Sequence, residues 1–278
     1  MGPARIAIRL ASRLGALLLL LAAGACSEAP PSLVLAATTS TYDSGLLDSL
    51  VSRFREDMPG ARIRTVVTGS GEALELGRRG DADILLVHDP AAERQFIAAG
   101  QATGRTPVMY NDFLIVGPTA DPAGISGIPE ASRALARIAE IGAPFVSRGD
   151  SSGTHERELA LWADAGIEPH GSWYVESGQG QGTTLQIASE RQAYALVDRA
   201  TFEVLAHVLD LVPLVEGDRS LVNVYSVIIP TAGTHREEAH VLEHWLTSEK
   251  GRRAIANFRL PGGASPLFIP IVPGEERP

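Results

Sequence analysis

Short apolar runs alternate with amphipathic stretches from residue 33 onwards. The segments LVLAATT, ARIRTVVT and ADILLVH predict strands, while SGLLDSLVSRFRED, GEALELGRRG and PAAERQFIAAG predict the helices that follow them. In the first of these helices, the apolar side chains at 46, 47, 50, 51 and 54 form one stripe, which is the expected core face. Strands that alternate with helices at this spacing predict a parallel sheet with helices packed on it.

A second series of the same kind begins near residue 111. Strands are predicted at NDFLIVGP, APFVSRG, SWYVESG and AYALVD, and helices at ISGIPEASRALARIAEIG, SGTHERELALWADAG, TTLQIASERQ and RATFEVLAHV. The segments LVPLVEG and LVNVYSVIIP are extended, and HREEAHVLEHWLTSEKGRRAIANF predicts one closing helix. Because extended segments near 108–117 and 212–224 join the two series, we expect two α/β lobes with a cleft between them.

The length of 278 residues, 45% of them apolar, suits this division. We expect lobe 1 to comprise residues 33–112 and 220–278, and lobe 2 to comprise residues 113–219. Residues 26–32, which contain SEAPPS, resemble a short tether.

The first 25 residues have the pattern of an export signal. Arg5, Arg9 and Arg13 precede the run LGALLLLLAAGA, which contains no acidic residue and is too short to span a membrane. The run ends at Cys26, the only cysteine of the chain. AGAC resembles the lipobox of a bacterial lipoprotein but lacks the preferred leucine three residues before the cysteine. We therefore expect a signal peptide at 1–25 and lipidation at Cys26, with plain cleavage as the alternative.

The charge of the chain excludes one class of partner. Its formal net charge is −9, and loss of the three signal arginines leaves 21 basic against 33 acidic side chains, or −12. An acidic chain without a Lys/Arg stripe argues against nucleic acid binding. If the protein binds an anion, local donors must overcome the overall field.

Four strand-to-helix loops share a composition of Gly, Ser and Thr: TTSTYDSG, TGSGEA, SRGDSSGTHE and SGQGQGTT. In open α/β sheets, ligands bind outside the carboxyl ends of the strands, where helix N termini point. One such loop is explained by N-capping, which needs a single side-chain oxygen. Thr38, Thr39, Ser40 and Thr41 exceed that need, and we expect the surplus hydroxyls to donate to an anion.

Arg148 is the strongest single candidate. It ends the apolar strand APFVS, where a planar set of donors to an oxyanion is useful and an unpaired charge is costly. The alternative is a salt bridge with Asp150 or a nearby glutamate.

These segments resemble successive blocks of a known family. TTSTYDSGLLDSL, TGSGEAL, ADILLVHDPAAE, VMYNDFLIVGP, SRGDSSGTHERELALW, SGQGQGTTLQIASERQAYALVDRATF and EGDRSLVNVYSVI are similar to the tungstate-binding solute receptors of ABC importers. The resemblance implies the type II periplasmic binding protein fold, in which two lobes joined by two crossing segments clamp an oxyanion.

The resemblance also implies a set of ligand-binding residues. In this chain they are Thr38 to Thr41, Ser70 with Gly71, Arg148, Ser152, Gly153 and Thr154, and the loop Gly180 to Thr184 with Gly182 and Thr183. Arg148 followed by Ser152-Gly153-Thr154 is also similar to the anion-gripping element of phosphate receptors.

Two residues depart from the family pattern. Gln181 replaces an expected apolar residue in the glycine loop, which leaves the contacts of that loop open. Asp89, after His88, is an acid that could reach the cleft. Because a buried carboxylate accepts the proton of hydrogen phosphate but repels a fully deprotonated oxyanion, Asp89 keeps phosphate as an alternative ligand.

Two motifs support rival classes. GDSSG fits G-x-S-x-G, so an esterase could use Ser151 with Asp198 or Asp210 and with His207 or His235. HVLEH fits H-x-x-E-H, which would place His240 and His244 on one helix face as a zinc site requires, although no third ligand is visible nearby.

The favoured hypothesis is an exported, lipid-tethered, monomeric receptor that binds tungstate and passes it to an ABC permease. It predicts no catalysis, cofactor or metal ion. Molybdate has the same charge and shape, so only the family resemblance favours tungstate; phosphate and sulfate are further alternatives.

Overall fold

The computed structural model describes residues 32–263 and 265–272. The predicted signal peptide, Cys26 and nearly all of the predicted tether lie outside these residues. Among the helices that it describes, none is long and apolar enough to cross a membrane.

The first α/β series forms as predicted. Three strands, β1 (Leu33–Thr38), β2 (Ile63–Thr68) and β3 (Ile84–Val87), alternate with four helices, α1 (Thr39–Asp43), α2 (Leu46–Asp57), α3 (Ser70–Arg79) and α4 (Pro90–Ala98). β1 pairs in parallel with β2 on one side and β3 on the other. The predicted apolar stripe of α2 is confirmed, since its five side chains are buried.

The remaining elements follow in chain order. They are β4 (Thr106–Gly117), α5 (Ala131–Ile141), β5 (Phe145–Ser147), α6 (Gly153–Asp164), β6 (Tyr174–Glu176), α7 (Gln181–Glu190), β7 (Ala195–Asp198), α8 (Arg199–Leu205), β8 (Val212–Val215), β9 (Val222–Ile228), α9 (Arg236–Thr247), α10 (Glu249–Ala256) and β10 (Ile269–Pro270). Short 3₁₀ helices occupy Ala206–Val208 and Arg219–Leu221.

The sheet is mixed, so the prediction of a parallel sheet is only partly correct. Its main path runs β10-β4-β9-β3-β1-β2, and β9 is antiparallel to both β3 and β4. Parallel pairing holds for β1 with β2 and β3 in this sheet, and for β5 with β6 in a separate two-stranded sheet. β4 and β9 lie at either end of residues 118–221, which form the second half of the molecule. They are not joined by the single helical crossover that parallel strands need, so they are free to pair antiparallel.

β4 changes partners along its length. Its first part pairs with β9 as far as Asp112, opposite Val222, and its second part pairs with β7 from Phe113, opposite Asp198, and with β8. The Asp112 carboxylate accepts two hydrogen bonds from Arg199, at 2.6 and 2.7 Å. β4 therefore belongs to both halves of the molecule.

The apolar core divides in the same way. Two clusters draw their residues from 33–109 and 225–268, with Ala200 as an addition. Two others draw theirs from 113–221. Trp162 and Trp245 are both buried.

The prediction of one closing helix is wrong, because the helix is interrupted at Ser248, between α9 and α10. The Ser248 hydroxyl donates to the Trp245 carbonyl at 2.7 Å and accepts from Gly251 N at 3.3 Å, which caps the start of α10. A Cβ added to Gly251 would lie 2.2 Å from the Trp245 oxygen, so only glycine allows the two helices to approach this closely.

A buried carboxyl group, Glu158, lies in the core of the second half. Glu158 on α6 is 1% exposed, and its Oε1 accepts hydrogen bonds from Trp162 Nε1 at 3.2 Å and from the Tyr174 hydroxyl at 2.8 Å. Burial raises the pKa of Glu158 to about 7.

We expect Glu158→Gln to flatten the pH dependence of stability. Since the folded protein holds this proton more tightly than the unfolded chain, the stabilisation is present below about pH 4.5 and is lost as the pH rises through about 7. The glutamine amide cannot ionise, and its oxygen can accept both bonds. Urea unfolding from about pH 5 to about pH 8 should show wild type losing about 3 kcal/mol relative to the variant. Parallel profiles would contradict the assignment.

Candidate functional site

The carboxyl ends of β1, β2 and β3 lie at one edge of the sheet. Thr38 is directly opposite Thr68, and Ala37 is opposite Leu86. Each strand is followed by the start of a helix, so the helix N termini of α1, α3 and α4 gather at this edge, where backbone N–H groups and the helix dipoles favour an anion. The first loop was expected to be irregular, but α1 begins within it at Thr39.

The second half contributes two loops of the same kind. β5 and β6 are parallel, with Ser147 opposite Glu176, and α6 and α7 begin shortly after them. The Arg148 carbonyl accepts from Gly178 N at 2.8 Å and from the Ser177 hydroxyl at 3.2 Å. These bonds tie the two loops together.

The loops of the two halves meet. A Cβ added to Gly153 would lie 2.9 Å from the His88 carbonyl oxygen, and one added to Gly69 would lie 3.8 Å from Ser152 Cβ. A Cβ on Gly71 would lie 3.4 Å from the Ser151 carbonyl oxygen. The structure therefore brings the loops after β1, β2, β3 and β5 into one region.

Arg148 lies in this region and is 5% exposed. One of its terminal nitrogens, Nη2, is paired with Asp150, as the alternative interpretation of the sequence anticipated. Its Nε is buried and has no hydrogen-bond partner among the described residues. Because an unsatisfied buried donor is costly, this N–H needs an acceptor supplied from elsewhere.

Asp150 also organises the turn that leads into α6. Its Oδ1 accepts from Ser152 N at 3.2 Å, and the Ser152 hydroxyl accepts from His155 N at 3.3 Å, which caps the helix. Ser151 has the left-handed φ of +54° and donates its N–H to His155 Nδ1 at 3.1 Å. The Ser152 hydroxyl keeps its own hydrogen for another acceptor, and Thr154 is buried beside it.

The hydroxyls of the first loop have different roles. Thr41 donates to the Thr38 carbonyl at 2.7 Å, so its hydrogen is used within the loop, contrary to the expectation that every surplus hydroxyl is free. Ser40 Oγ lies 3.1 Å from Thr38 Oγ1 and 3.4 Å from His88 Nε2. Thr38 and Ser40 are buried and Thr39 is half-buried.

In the second loop, the Ser70 hydroxyl is fully buried and accepts from His88 N at 3.2 Å. Asp89, considered as an acceptor for hydrogen phosphate, instead caps α4. Its Oδ1 accepts from Ala91 N at 3.1 Å and from Ala92 N at 3.0 Å. Asp89 therefore has a structural role at the helix N terminus.

The glycine loop of the sequence is already helical, since α7 begins at Gln181. The Gln181 side chain is buried within the second half, and its Nε2 donates a hydrogen bond to the Leu196 carbonyl at 3.1 Å. Thr184 donates within the loop and lies 2.8 Å from Ser177 Oγ. Gly182 packs near Leu205, and Thr183 is exposed.

Two ionisable side chains near the site, Asp43 and His88, have shifted pKa values. Burial raises the pKa of Asp43, and the Arg148 guanidinium partly opposes that rise. Burial lowers the pKa of His88 to about 4, so the ring is neutral at neutral pH. Sequence reasoning missed His88 as a site residue, because a single histidine after a strand has no distinctive pattern.

Two residues of the rival esterase site, His235 and Asp198, have other partners. His235 Nδ1 lies 3.1 Å from Asp83 Oδ2, and the Asp198 carboxylate accepts from Asn111 and Tyr225, so neither side chain forms a triad with Ser151.

The histidines of the HVLEH motif are exposed, and His240 Nδ1 lies 3.0 Å from Glu243 Oε2. Within residues 32–263 and 265–272, no group of three or more His, Cys, Asp or Glu side chains is placed to hold a metal ion.

The two α/β halves share a crossing strand, and loops of both halves meet beside a buried arginine. This fold and site define the class of two-lobed solute-binding proteins. Comparison with known proteins agrees with this class. Residues 25–250 match the family model described as a PBP superfamily domain.

Three relatives make the family more specific. The tungstate-binding protein TupA of Peptoclostridium acidaminophilum is 44% identical over 88% of this chain and 87% of its own length. The crystal structure of the tungstate ABC transporter from Geobacter sulfurreducens is 41% identical, covering 83% of this chain and 100% of that one, with a TM-score of 0.75. The structure of TupA from Desulfovibrio alaskensis G20 is 42% identical, covering 87% and 99%, with a TM-score of 0.73. The chain belongs to the PBP superfamily and, within it, to the TupA family of tungstate-binding proteins.

Proposed function

We propose that this protein is the solute-binding component of an ABC transporter, that it binds tungstate between its two lobes, and that it delivers the ion to the membrane permease. As a solute-binding protein it is not an enzyme. The observation that carries the proposal is Arg148 Nε, a buried donor without a partner in the described chain, at the place where loops of both halves meet.

The ligand-binding set is also a proposal. Arg148 supplies charge and planar donors, the hydroxyls of the first and third loops surround the oxygens, and backbone N–H groups complete the shell. Its members are Thr38, Thr39, Ser40, Thr41, Ser70, Gly71, Arg148, Ser152, Gly153, Thr154, Gly182 and Thr183, of which Thr41 would act through its backbone because its hydroxyl is used locally.

The number of donors is sufficient for tight binding. Six to eight hydrogen bonds to a charged group, at about 1.5 to 3 kcal/mol each, amount to about 9 to 24 kcal/mol before the cost of association. Nanomolar affinity needs about 12 kcal/mol. No metal ion or cofactor is required.

Two carboxylates near the site are already engaged within the protein. Asp150 is occupied by Arg148 and by Ser152 N, and Asp89 by the start of α4. Neither is thereby offered to the proton of hydrogen phosphate, so phosphate ranks below tungstate and molybdate. We rank tungstate before molybdate because the relatives are named tungstate-binding proteins.

Export follows from the class of protein, and its finer details are proposals. We place the protein in the periplasm or on the cell surface, tethered through lipidated Cys26 and monomeric. We retain lobe boundaries at 112/113 and 219/220, and the partner change along β4 supports the first of them.

Calorimetric titration of the mature chain tests the proposal. Tungstate and molybdate should bind with 1:1 stoichiometry and far more tightly than sulfate or phosphate. Phosphate binding best would refute the tungstate assignment, and failure of all four oxyanions to bind would refute the class of ligand. Mass spectrometry of the membrane fraction would detect or exclude a diacylglyceryl group on Cys26.

A further inference from the structure

Behind the first loop lies a cluster of buried polar side chains, which we call the crossing network. Its members are at most 5% exposed: Ser40, His88, Asn111, Asp198, Asn223 and Tyr225. Asn111 on β4 and Asn223 on β9 are directly opposite each other in the antiparallel ladder. The network therefore connects the candidate site to β4 and β9, the two strands by which the chain passes between the halves.

Asp198 fixes the orientation of both amides. Its Oδ2 lies 2.7 Å from Asn111 Nδ2, 2.9 Å from Asn223 Nδ2 and 2.8 Å from the Tyr225 hydroxyl. Burial raises the pKa of Asp198, and the hydrogen bonds that Asn111, Tyr225 and Asn223 donate to it oppose that rise. As a carboxylate, Asp198 accepts from both amide nitrogens, which fixes the orientation of the two amides. Asn223 Nδ2 also donates to Asn111 Oδ1 at 2.9 Å, which is consistent with this arrangement.

The amide orientation in turn fixes the tautomer of His88. With its nitrogen turned to Asp198, Asn223 presents Oδ1 to His88 Nδ1 at 3.0 Å. Since this oxygen accepts, Nδ1 carries the hydrogen of the neutral ring. His88 Nε2 is left with a lone pair, which faces Ser40 Oγ at 3.4 Å.

Ser40 Oγ carries one hydrogen and has three polar neighbours in the protein: Thr38 Oγ1 and the Tyr225 hydroxyl, each at 3.1 Å, and His88 Nε2 at 3.4 Å. Tyr225 donates to Ser40, so Thr38 Oγ1 and His88 Nε2 are the acceptors within the protein. In the ligand-free arrangement Ser40 can donate its hydrogen to His88 Nε2. If it donates to a bound oxyanion instead, lone pairs of Ser40 Oγ and His88 Nε2 face each other across 3.4 Å. A hydrogen on Nε2 removes this conflict, because the imidazolium donates to Ser40 while Ser40 donates to the anion.

We propose that His88 takes up a proton when the oxyanion binds, so that His88 positions Ser40 as a donor and adds a positive charge behind the site. This inference rests on the proposed function and adds a proton to the binding step. No other co-reactant is needed, since the proton comes from solvent.

The charges that face His88 explain why the proton arrives with the anion. Without ligand, burial lowers the pKa of His88 to about 4, and Arg148 and Arg157 add to this effect, whereas the hydrogen bond to Asn223 and the charge of Asp89 oppose it. A dinegative anion beside Ser40 raises the pKa of His88 and so reverses this balance.

Four other ionisable or charged side chains lie near His88. Asp198 lies behind Asn223, and the Tyr225 ring is 4.7 Å from the His88 ring. Arg94 and Glu156 line a surface cavity with His88.

Because ligand binding raises the pKa of His88, affinity should increase as the pH falls, by up to about tenfold per pH unit between the free and bound pKa values. Titration calorimetry with molybdate at about pH 6.5, the ordinary pKa of histidine, in two buffers of different ionisation enthalpy, measures the protons taken up. Wild type should take up a substantial fraction of one proton per anion. His88→Gln should take up much less, and the exposed His244→Gln should match wild type.

A spectroscopic measurement keeps the test decisive if His88→Gln fails to fold. In ¹⁵N-histidine-labelled wild type, the His88 ring should change from the neutral Nδ1–H tautomer to imidazolium on anion binding. Tight binding without proton uptake, or uptake that persists undiminished in His88→Gln, would overturn the inference and leave the proposed function intact. If no oxyanion bound wild type, the proposed function would fail first.

Discussion

Arg148→Ala is expected to weaken tungstate binding by about 30-fold to several thousand-fold, corresponding to about 2 to 5 kcal/mol. The variant loses a buried positive charge and the Nε donor that has no partner within the described chain. It also leaves Asp150 without its cation, next to the incoming dianion. Arg148→Lys should recover only part of the loss, because an ammonium group cannot reproduce the planar donor set. Calorimetric titration measures both variants.

Arg137→Ala is the matched control for Arg148. Arg137 is paired with Glu140 on the exposed face of α5, at 2.6 Å, and its side chain is 48% exposed. Its removal should leave affinity unchanged, since an exposed pair contributes little. Affinity of Arg148→Ala within a few-fold of wild type, in a protein with unchanged circular dichroism, would remove Arg148 from the site.

Gly153→Ala is expected to reduce affinity by about 5- to 150-fold, corresponding to about 1 to 3 kcal/mol of overpacking. The added methyl group would lie 2.9 Å from the His88 carbonyl oxygen and 3.0 Å from the His88 ring. The backbone oxygen cannot move away as a flexible side chain could. Because Gly153 and His88 belong to different halves, separation of the lobes relieves the clash, so the ligand-free variant should be nearly as stable as wild type.

Titration and thermal unfolding, each with and without tungstate, distinguish this effect from simple destabilisation. Gly104→Ala serves as the control, because a Cβ there meets no atom within 4 Å. Loss of stability in the ligand-free Gly153→Ala protein equal to its loss of binding energy would indicate a packing defect rather than blocked closure.

The alternation of strands and helices was predictable because the spacing of apolar residues along the chain is enough to specify it. The stripe of α2 and the core positions of Trp162 and Trp245 follow from the same pattern. The break at Ser248 was not predictable from period, since the apolar stripe continues from Trp245 to Ile255 across a local cap. A Ser followed three residues later by Gly is too common to mark a helix boundary by itself.

The residues of the candidate site that stand out by the composition of their loops were predictable from the sequence. Those that are brought together by the pairing register of two strands were not. Arg148 and the hydroxyl-rich loops are conspicuous in the sequence, and the structure gathers loops of both halves. The crossing network depends on Asn111 lying opposite Asn223, a pairing set by the ladder between β4 and β9. No local pattern reveals such a partner, so His88 became visible only through its neighbours.

The exchange of ladder partners between Asp112 and Phe113 has a mechanical consequence. A torsional change confined to this peptide step leaves both hydrogen-bonded ladders intact, so the cleft can open without breaking the sheet. The lobes can therefore separate on the microsecond-to-millisecond scale of hinge motions without partial unfolding, while release of the ion must still break the hydrogen bonds that hold it.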